Sequence, residues 1–181
     1  MNIYFDTEFT GLQKDTTLIS IGLIAEDGST FYAEFTDYDK SQCDKWIQTN
    51  VLDNLIIKNY GVQKDNWNET IIKGNKTLVR FYLSMWLSQF DKVQLISDVS
   101  HYDMVLFIDI FGSAWDLPKN INPSCHDINQ DIAEWYNIIE EQAFDMSREK
   151  ILIDCEVNIS GNKHNSLFDA KVIKEIYNAI A

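Results

Sequence analysis

The first 35 residues contain three strand-like segments separated by short polar stretches. Residues 2–5 are largely apolar, residues 17–25 are rich in β-branched side chains, and residues 30–35 alternate between apolar and polar, so each segment predicts a strand. Asp27 and Gly28 stand between the second and third segments and form a strong hairpin signal. This part of the chain therefore predicts a three-strand antiparallel meander.

Further along the chain, apolar positions recur every three or four residues, which is the period of a helix. Helices are predicted at residues 44–58, 77–90, 102–111, 127–136, 145–153 and 166–180. A short apolar run at residues 93–97 predicts one more buried strand, whereas the glycines and asparagines of residues 59–75 predict a loop. This order predicts a single α/β domain over residues 1–181, in which a mixed central sheet of the meander plus parallel strands is flanked by helices.

The chain is acidic, with 28 Asp and Glu against 15 Lys and Arg and a net charge of −13. This balance opposes strong, sequence-independent binding to long duplexes, which requires a basic surface. It does not oppose a protein that holds a few nucleotides through metal ions, because such a site is locally acidic until the metal binds. The charge therefore restricts how a nucleic acid is held more than whether one is bound.

The cysteines and the hydrophobic runs indicate a cytoplasmic protein. Cys43, Cys125 and Cys155 are odd in number and far apart, which indicates reduced thiols and neither a disulfide framework nor a zinc site. No apolar run reaches the roughly 18 residues that span a membrane. The N-terminus also lacks the basic start and apolar core of a signal peptide. We therefore expect no membrane partner.

Asp6 and Glu8 follow the first apolar run directly. In a strand, side chains two positions apart point to the same face of the sheet. Two carboxylates on one face repel each other unless a cation lies between them. Mg²⁺ or Mn²⁺ suits a site made of oxygen ligands, so the pair predicts a divalent-metal site if other segments complete it.

Two later segments can supply further ligands. Residues 95–107 change from strand to helix, the place where α/β folds bind ligands, and Asp98 and Asp103 are both candidates for a third carboxylate. His164 follows a predicted turn, and Asp169 lies at the start of the last predicted helix. A loop histidine and an acid five residues later can reach the same pocket.

These segments resemble the three motifs of the DEDD 3′–5′ exonucleases, in the subclass that carries a histidine in its last motif (DEDDh). Residues 5–12 are similar to the first motif, D-T-E-T-T-G-L. Residues 101–103 with the apolar helix after them resemble the second, and residues 164–170 resemble the third, H-x-A-x-x-D-A. Ser166 stands where the third motif usually has Ala, and Val99 stands where the second frequently has Asn. The resemblance covers nearly the whole chain and is closest to the compact ribonuclease-AS-like exoribonucleases.

The resemblance implies a ribonuclease-H-like fold and a metal-dependent 3′–5′ exonuclease. It implies that two Mg²⁺ or Mn²⁺ ions are held by four carboxylates, those of Asp6, Glu8, Asp103 and Asp169. It makes His164 the general base for the attacking water, a role that the ordinary pKa of histidine suits. The implied substrate is a single-stranded 3′ end, RNA in preference to DNA, and the implied product is a nucleoside 5′-monophosphate.

Thr10, Gly11 and Leu12 follow the predicted metal strand directly. Gly11 permits a close approach of the backbone to a ligand. Leu12 is expected to pack on the terminal base, and backbone groups near Thr10 are expected to bond the terminal ribose. The alternative for this segment is a plain turn that leads to a core leucine.

Other functions stay open at the level of the sequence. Residues 6–10 also resemble the D-x-D-x-T motif of haloacid-dehalogenase-type phosphatases, in which the first Asp is a nucleophile, although Glu8 stands where that family has Asp. The same fold could serve as a non-catalytic nucleotide- or RNA-binding module, because a fold does not determine a function. Self-association into a homodimer is also open.

Overall fold

A computed structural model describes residues 1–180, which build one seven-stranded mixed sheet. The strands are β1 (Asn2–Phe9), β2 (Leu18–Ala25), β3 (Thr30–Phe35), β4 (Gly61–Asn66), β5 (Glu69–Gly74), β6 (Gln94–Ser97) and β7 (His126–Asp127). They lie in the order β4-β5-β3-β2-β1-β6-β7. The first three form the predicted antiparallel meander, and β6 pairs in parallel with β1, so the predicted mixed sheet is confirmed.

Helices cover both faces of this sheet. They are α1 (Lys45–Asn50), α2 (Lys76–Leu87), α3 (Ser100–Phe111), α4 (Ile128–Tyr136), α5 (Glu140–Asp145), α6 (Arg148–Asp154) and α7 (Ser166–Ile180). Helices α2 and α3 bury one apolar core against the sheet, and α4 to α7 bury a second core on the opposite face. Within residues 1–180, no helix is long and apolar enough to cross a membrane.

Strand β1 lies between β2 and β6 and contributes to both cores. Because side chains alternate along a strand, Ile3 and Phe5 enter the core under α2 and α3, whereas Tyr4 enters the core under α7. All three side chains are buried, and each contributes about 1.5–3 kcal/mol to folding. The alternation continues to the end of the strand and turns Asp6 and Glu8 toward the face that α7 covers.

The helix predicted at residues 44–58 is wrong beyond Asn50, where α1 ends. The chain continues as a short 3-10 turn and then becomes extended. In this extended part, Glu34 on β3 keeps the chain out of a helix, because its fully buried carboxylate accepts hydrogen bonds from the backbone N–H groups of Ile56 (2.7 Å) and Ile57 (2.8 Å). These N–H groups are satisfied by the carboxylate and so are not available for helical bonding.

The loop predicted at residues 59–75 is also wrong, because this segment forms the hairpin of β4 and β5. Strand β5 pairs in parallel with β3 and extends the sheet. Strand β4 is the edge strand, and most of its side chains are polar and exposed, so no apolar alternation marks it in the sequence. Within this hairpin, β5 buries every second residue, namely Thr70, Ile72 and Gly74, whereas β4 does not.

The helix predicted at residues 145–153 is confirmed as α6 (Arg148–Asp154), which begins three residues later than expected, and the short helix α5 before it was not predicted. The break between the two helices is stabilised by Arg148, whose Nη1 donates to the carbonyl oxygens of Ala143 (3.2 Å) and Met146 (3.3 Å) at the end of α5. A side chain thus satisfies carbonyl groups that a helix end leaves without partners. The side chain of Ser147 then caps α6 by accepting the N–H of Lys150.

Candidate active site

The residues predicted to bind metal come together at the end of β1 in two groups. Within each group the potential ligand atoms lie within 4.8 Å of one another: Asp6, Asp98 and Asp103 in the first, and Glu8, His164 and Asp169 in the second. The acids come from the first strand, from the junction after β6, from the first turn of α3 and from α7. The fold therefore unites all five residues of the three sequence motifs and adds Asp98.

Asp6 is the residue whose surroundings fit a bound cation best. Its Oδ2 atom is buried, and none of the described residues offers it a hydrogen bond. Burial, together with the negative charges of Asp103 and Glu8, raises the pKa of Asp6 well above its ordinary range. A buried carboxylate oxygen without a partner is costly, and a divalent ion is the partner that this oxygen-rich site would accept. The donor set therefore fits Mg²⁺ or Mn²⁺.

Asp103 is oriented by two residues that the sequence did not single out. Thr7 donates to its Oδ1 through the backbone N–H (3.1 Å) and through Oγ1 (2.5 Å), and the hydroxyl of Ser97 donates to Oδ2. Burial raises the pKa of Asp103 to about 7, although these hydrogen bonds favour the charged form. Thr7 stands between Asp6 and Glu8 and points to the opposite face, so strand alternation was the signal that could have found it.

Asp98 also reaches the first group, but its carboxylate is already paired. Its Oδ2 accepts a hydrogen bond from Nε of Arg148 at 2.9 Å, and both side chains are mostly buried. The sequence left Asp98 and Asp103 as alternative third carboxylates. The geometry favours Asp103, because its donors are neutral hydroxyl and amide groups that leave its charge uncompensated.

His164 and Asp169 are fixed to each other by the turn that precedes α7. Oδ2 of Asp169 accepts the backbone N–H of His164 at 2.7 Å, and His164 has a left-handed backbone with a φ of 62°. Nδ1 of His164 lies 3.7 Å from Oε1 of Glu8, and this interaction raises the pKa of the imidazole. The indole of Trp46 on α1 meets the imidazole edge to face, with ring centres 5.0 Å apart. Burial raises the pKa of Asp169 to about 7.

Gly22 allows α7 to approach the sheet at this site, and sequence reasoning missed it. It pairs with Asp6 across β1 and β2. A Cβ atom at Gly22 would lie 2.2 Å from the backbone nitrogen of Leu167 and 2.4 Å from the carbonyl carbon of Ser166. The missing side chain therefore lets the start of α7 lie directly over the strand. The available signal was a glycine inside an otherwise apolar strand, which often marks a close backbone approach.

The segment after β1 borders a cleft of about 1330 Å³ that also contains the two acidic groups. The hydroxyl of Thr10 donates to Oε1 of Gln42 (2.5 Å), and its backbone N–H donates to the carbonyl of Thr17 (3.0 Å), so Thr10 mainly shapes the loop. Gly11 has a φ of 149°, which favours glycine. Leu12 is 75% exposed and faces the cleft, which contradicts the alternative of a core leucine.

We expect the metal-free protein to lose stability as pH rises from about 4 to about 7. Asp103 and Asp169 have raised pKa values in the fold, so in this interval the folded protein binds more protons than the unfolded chain. Melting temperatures measured in chelator between about pH 5 and 8 check this. The Asp103→Asn variant should show a smaller loss than the wild type, and Asp109→Asn, at an exposed position of α3, should match the wild type. Equal slopes in all three proteins would contradict the assignment.

Comparison with known proteins identifies the family of the chain. The family model described as "3′-5′ exoribonuclease Rv2179c-like domain" matches residues 1–181. Two curated relatives, the 3′-5′ exoribonucleases Rv2179c and MT2234.1 from two strains of Mycobacterium tuberculosis, are each 28% identical over 132 residues. The aligned part is 72% of this chain and 73% of each relative.

Solved structures share the fold at low sequence identity. The nuclease domain of 3′hExo, a DEDDh family member bound to rAMP, has a TM-score of 0.66 and 14% identity, covering 97% of this chain and 88% of its own. Pop2p of S. pombe, in a form with bound Mg²⁺ and Mn²⁺, has a TM-score of 0.63 and 16% identity, covering 97% and 81%. This likeness confirms the ribonuclease-H-like fold, while the family match selects the exonuclease over the phosphatase and the binding module. The chain belongs to the Rv2179c-like family of 3′–5′ exoribonuclease domains.

Proposed function

We propose that this protein removes nucleotides one at a time from the 3′ end of single-stranded RNA with the help of two divalent ions. The observation that carries the proposal is the buried, unpartnered Oδ2 of Asp6 between two groups of potential ligands. A site with several buried carboxylates and almost no compensating cation is costly to fold unless it binds metal. The 3′hExo and Pop2p structures, which contain rAMP and Mg²⁺ with Mn²⁺ respectively, support a nucleotide and these ions as ligands.

Four carboxylates would hold the two ions. They are those of Asp6, Glu8, Asp103 and Asp169. When bound, two such ions make a water molecule more acidic and stabilise the negative charge on the departing 3′ oxygen. Thr7 and Ser97 keep the Asp103 carboxylate in one orientation by donating to both of its oxygens. Preorganised ligands need no rearrangement when the substrate arrives, which is the source of their catalytic value.

His164 would accept the proton of the attacking water as general base. The hydrogen bond from its backbone N–H to Asp169 holds the loop, and Trp46 restricts the ring from one side. The side chain of His164 is 29% exposed to solvent, and it borders the cleft. Hydrolysis on the 5′ side of the terminal nucleotide then leaves the phosphate on the released residue, so the product is a nucleoside 5′-monophosphate.

The terminal nucleotide would lie along residues 10–12. The exposed side chain of Leu12 offers an apolar surface for the base. Gly11 lets the backbone approach the sugar, and the buried contacts of Thr10 fix the course of the loop. A further solved relative, at 17% identity, is described as a 3′-exonuclease that recognises the 3′ end of a histone mRNA stem-loop, which supports RNA over DNA.

We further propose that residues 1–181 act as one exonuclease domain in the cytoplasm. The three cysteines are unpaired in the described part of the chain, which suits a reducing compartment. A homodimer stays a prediction, and analytical ultracentrifugation at micromolar concentration checks it.

The test is metal-dependent degradation of 3′-labelled single-stranded RNA. We expect the wild type with Mg²⁺ or Mn²⁺ to release mononucleotides, and Asp6→Ala to release at least about a thousandfold less, because the metal site loses a central ligand. Asp65→Ala, which removes an acid from the exposed edge strand β4, is the matched control and should behave as the wild type. Equal release by the wild type and Asp6→Ala would refute the proposal. Matched DNA and homopolymer substrates measure the preference.

A further inference from the structure

The metal centre contains one more carboxylate than two divalent ions need. The four carboxylates of the proposed site already match the charge of two such ions, and Asp98 is a fifth whose ligand atom lies within 4.8 Å of those of Asp6 and Asp103. Asp98 follows the end of β6, where the chain turns toward α3. A fifth acid so close to the others is unfavourable unless its charge is compensated.

Arg148 provides this compensation and is held rigidly. Its Nε donates to Oδ2 of Asp98 at 2.9 Å, and Nη2 donates to Oδ1 of Asn129 at 2.7 Å. Its Nη1 donates to two carbonyl oxygens at the end of α5, one of them that of Ala143. Asn129 in turn donates through Nδ2 to the backbone carbonyl of Asp98 at 2.8 Å. The guanidinium therefore cannot leave Asp98 without breaking contacts to two helices.

We propose that Arg148 keeps Asp98 out of the set of metal ligands and thereby lowers the affinity of the centre for divalent cations. The inference rests on the proposed metal-dependent function. The positive charge of Arg148 repels divalent ions, and the negative charge of Asp98 attracts them. While the two are paired, these effects offset each other, so the affinity for metal is set by the other four carboxylates.

The proposal predicts opposite effects for the two partners of one ion pair. Arg148→Gln removes the cation and frees Asp98, so the affinity for Mn²⁺ should rise on the order of tenfold. Asp98→Asn removes the anion and leaves Arg148 uncompensated, so the affinity should fall by a similar factor. The double variant restores the charge balance and should bind Mn²⁺ within about threefold of the wild type. Arg148→Lys keeps the charge and should also stay close to the wild type.

The measurement is Mn²⁺ binding to the full chain by isothermal titration calorimetry, with the melting temperature of each metal-free variant recorded beside it. Lys150→Gln is the matched control, because it removes a cation from the outer face of the same helix, where Lys150 pairs with Asp154. It should leave the Mn²⁺ affinity unchanged. If Arg148→Gln does not fold, Asp98→Asn and the double variant together still decide the question, because the double variant should regain the Mn²⁺ affinity that Asp98→Asn loses. Neutralising both partners of a buried pair is also tolerated better than removing one.

Each outcome has one meaning. If Arg148→Gln and Asp98→Asn both weaken Mn²⁺ binding, the pair is only a structural connection and the inference is wrong. If the double variant binds as weakly as Asp98→Asn, then Asp98 is itself a ligand, and the inference is again wrong. If the wild type and Asp6→Ala both fail to bind Mn²⁺, the proposed metal-dependent function is what fails.

Discussion

Replacing Asp103 by asparagine should lower the rate of nucleotide release by about a thousandfold or more and should also raise the melting temperature of the metal-free protein. Asparagine has nearly the same shape and can still accept the hydrogen bonds that Thr7 donates to Oδ1. It lacks the charge that a divalent ion requires, so catalysis is lost. It also removes one buried charge from a crowded acidic site, which stabilises the metal-free fold by about 1–2 kcal/mol, or roughly 2–8 °C.

The expected fall in activity together with a rise in melting temperature makes this experiment specific. A mutation that merely damages the fold lowers both activity and melting temperature, whereas loss of a metal ligand separates the two. The activity is measured on 3′-labelled RNA with saturating Mn²⁺, and the melting temperature in chelator. Asp109→Asn, on the same helix but half-exposed, should change neither quantity by much. An active Asp103→Asn variant would show that Asp103 is not a metal ligand and would favour Asp98 as the third carboxylate.

Replacing Gly22 by alanine should lower activity by on the order of a hundredfold without touching any residue that contacts the substrate. The new Cβ would lie 2.2 Å from the backbone of Leu167, which cannot move aside as a side chain can. The start of α7 must therefore shift by about an ångström, and His164 and Asp169 shift with it. Displacements of this size at a catalytic site cost about a hundredfold in rate. Overpacking should also lower stability by about 1–3 kcal/mol.

Gly74→Ala is the matched control for this variant. Gly74 lies on β5 in the same sheet, and the atoms that an added Cβ would meet belong to the side chain of Leu78, which can change its rotamer. We therefore expect a small loss of stability and wild-type turnover. Steady-state kinetics on RNA and thermal melting of both variants decide the matter. If Gly22→Ala keeps full activity, the position of α7 over the strand is not what places His164.

The sequence predicted the central meander and the five motif residues because both are local signals. Apolar strands joined by a tight turn, and a D-x-E pair at a strand end, are visible in a few adjacent positions. The relative placement of Asp6, Asp103 and Asp169 followed from the order of the motifs and from the resemblance to a known family. The structure then showed that these residues share one site, which no spacing alone requires.

The features that could not be predicted depend on partners far away in the sequence. Glu34 keeps the chain extended near residue 56 by binding two backbone N–H groups, and no local signal reveals that carboxylate. The edge strand β4 is polar because it faces solvent, so its pattern is that of a loop. The Asp98–Arg148 pair and the contact of Gly22 with α7 likewise exist only once distant segments have packed.

The closure of the site by α7 has a consequence for protein synthesis. Asp6 and Glu8 leave the ribosome long before His164 and Asp169, which lie more than 150 residues later in the sequence. With the roles proposed for His164 and Asp169, a nascent chain that has not yet released α7 holds an incomplete set of ligands and has no general base. On this proposal, we expect the protein to be inactive toward RNA, including the message that is being translated, until α7 has emerged and packed against the sheet.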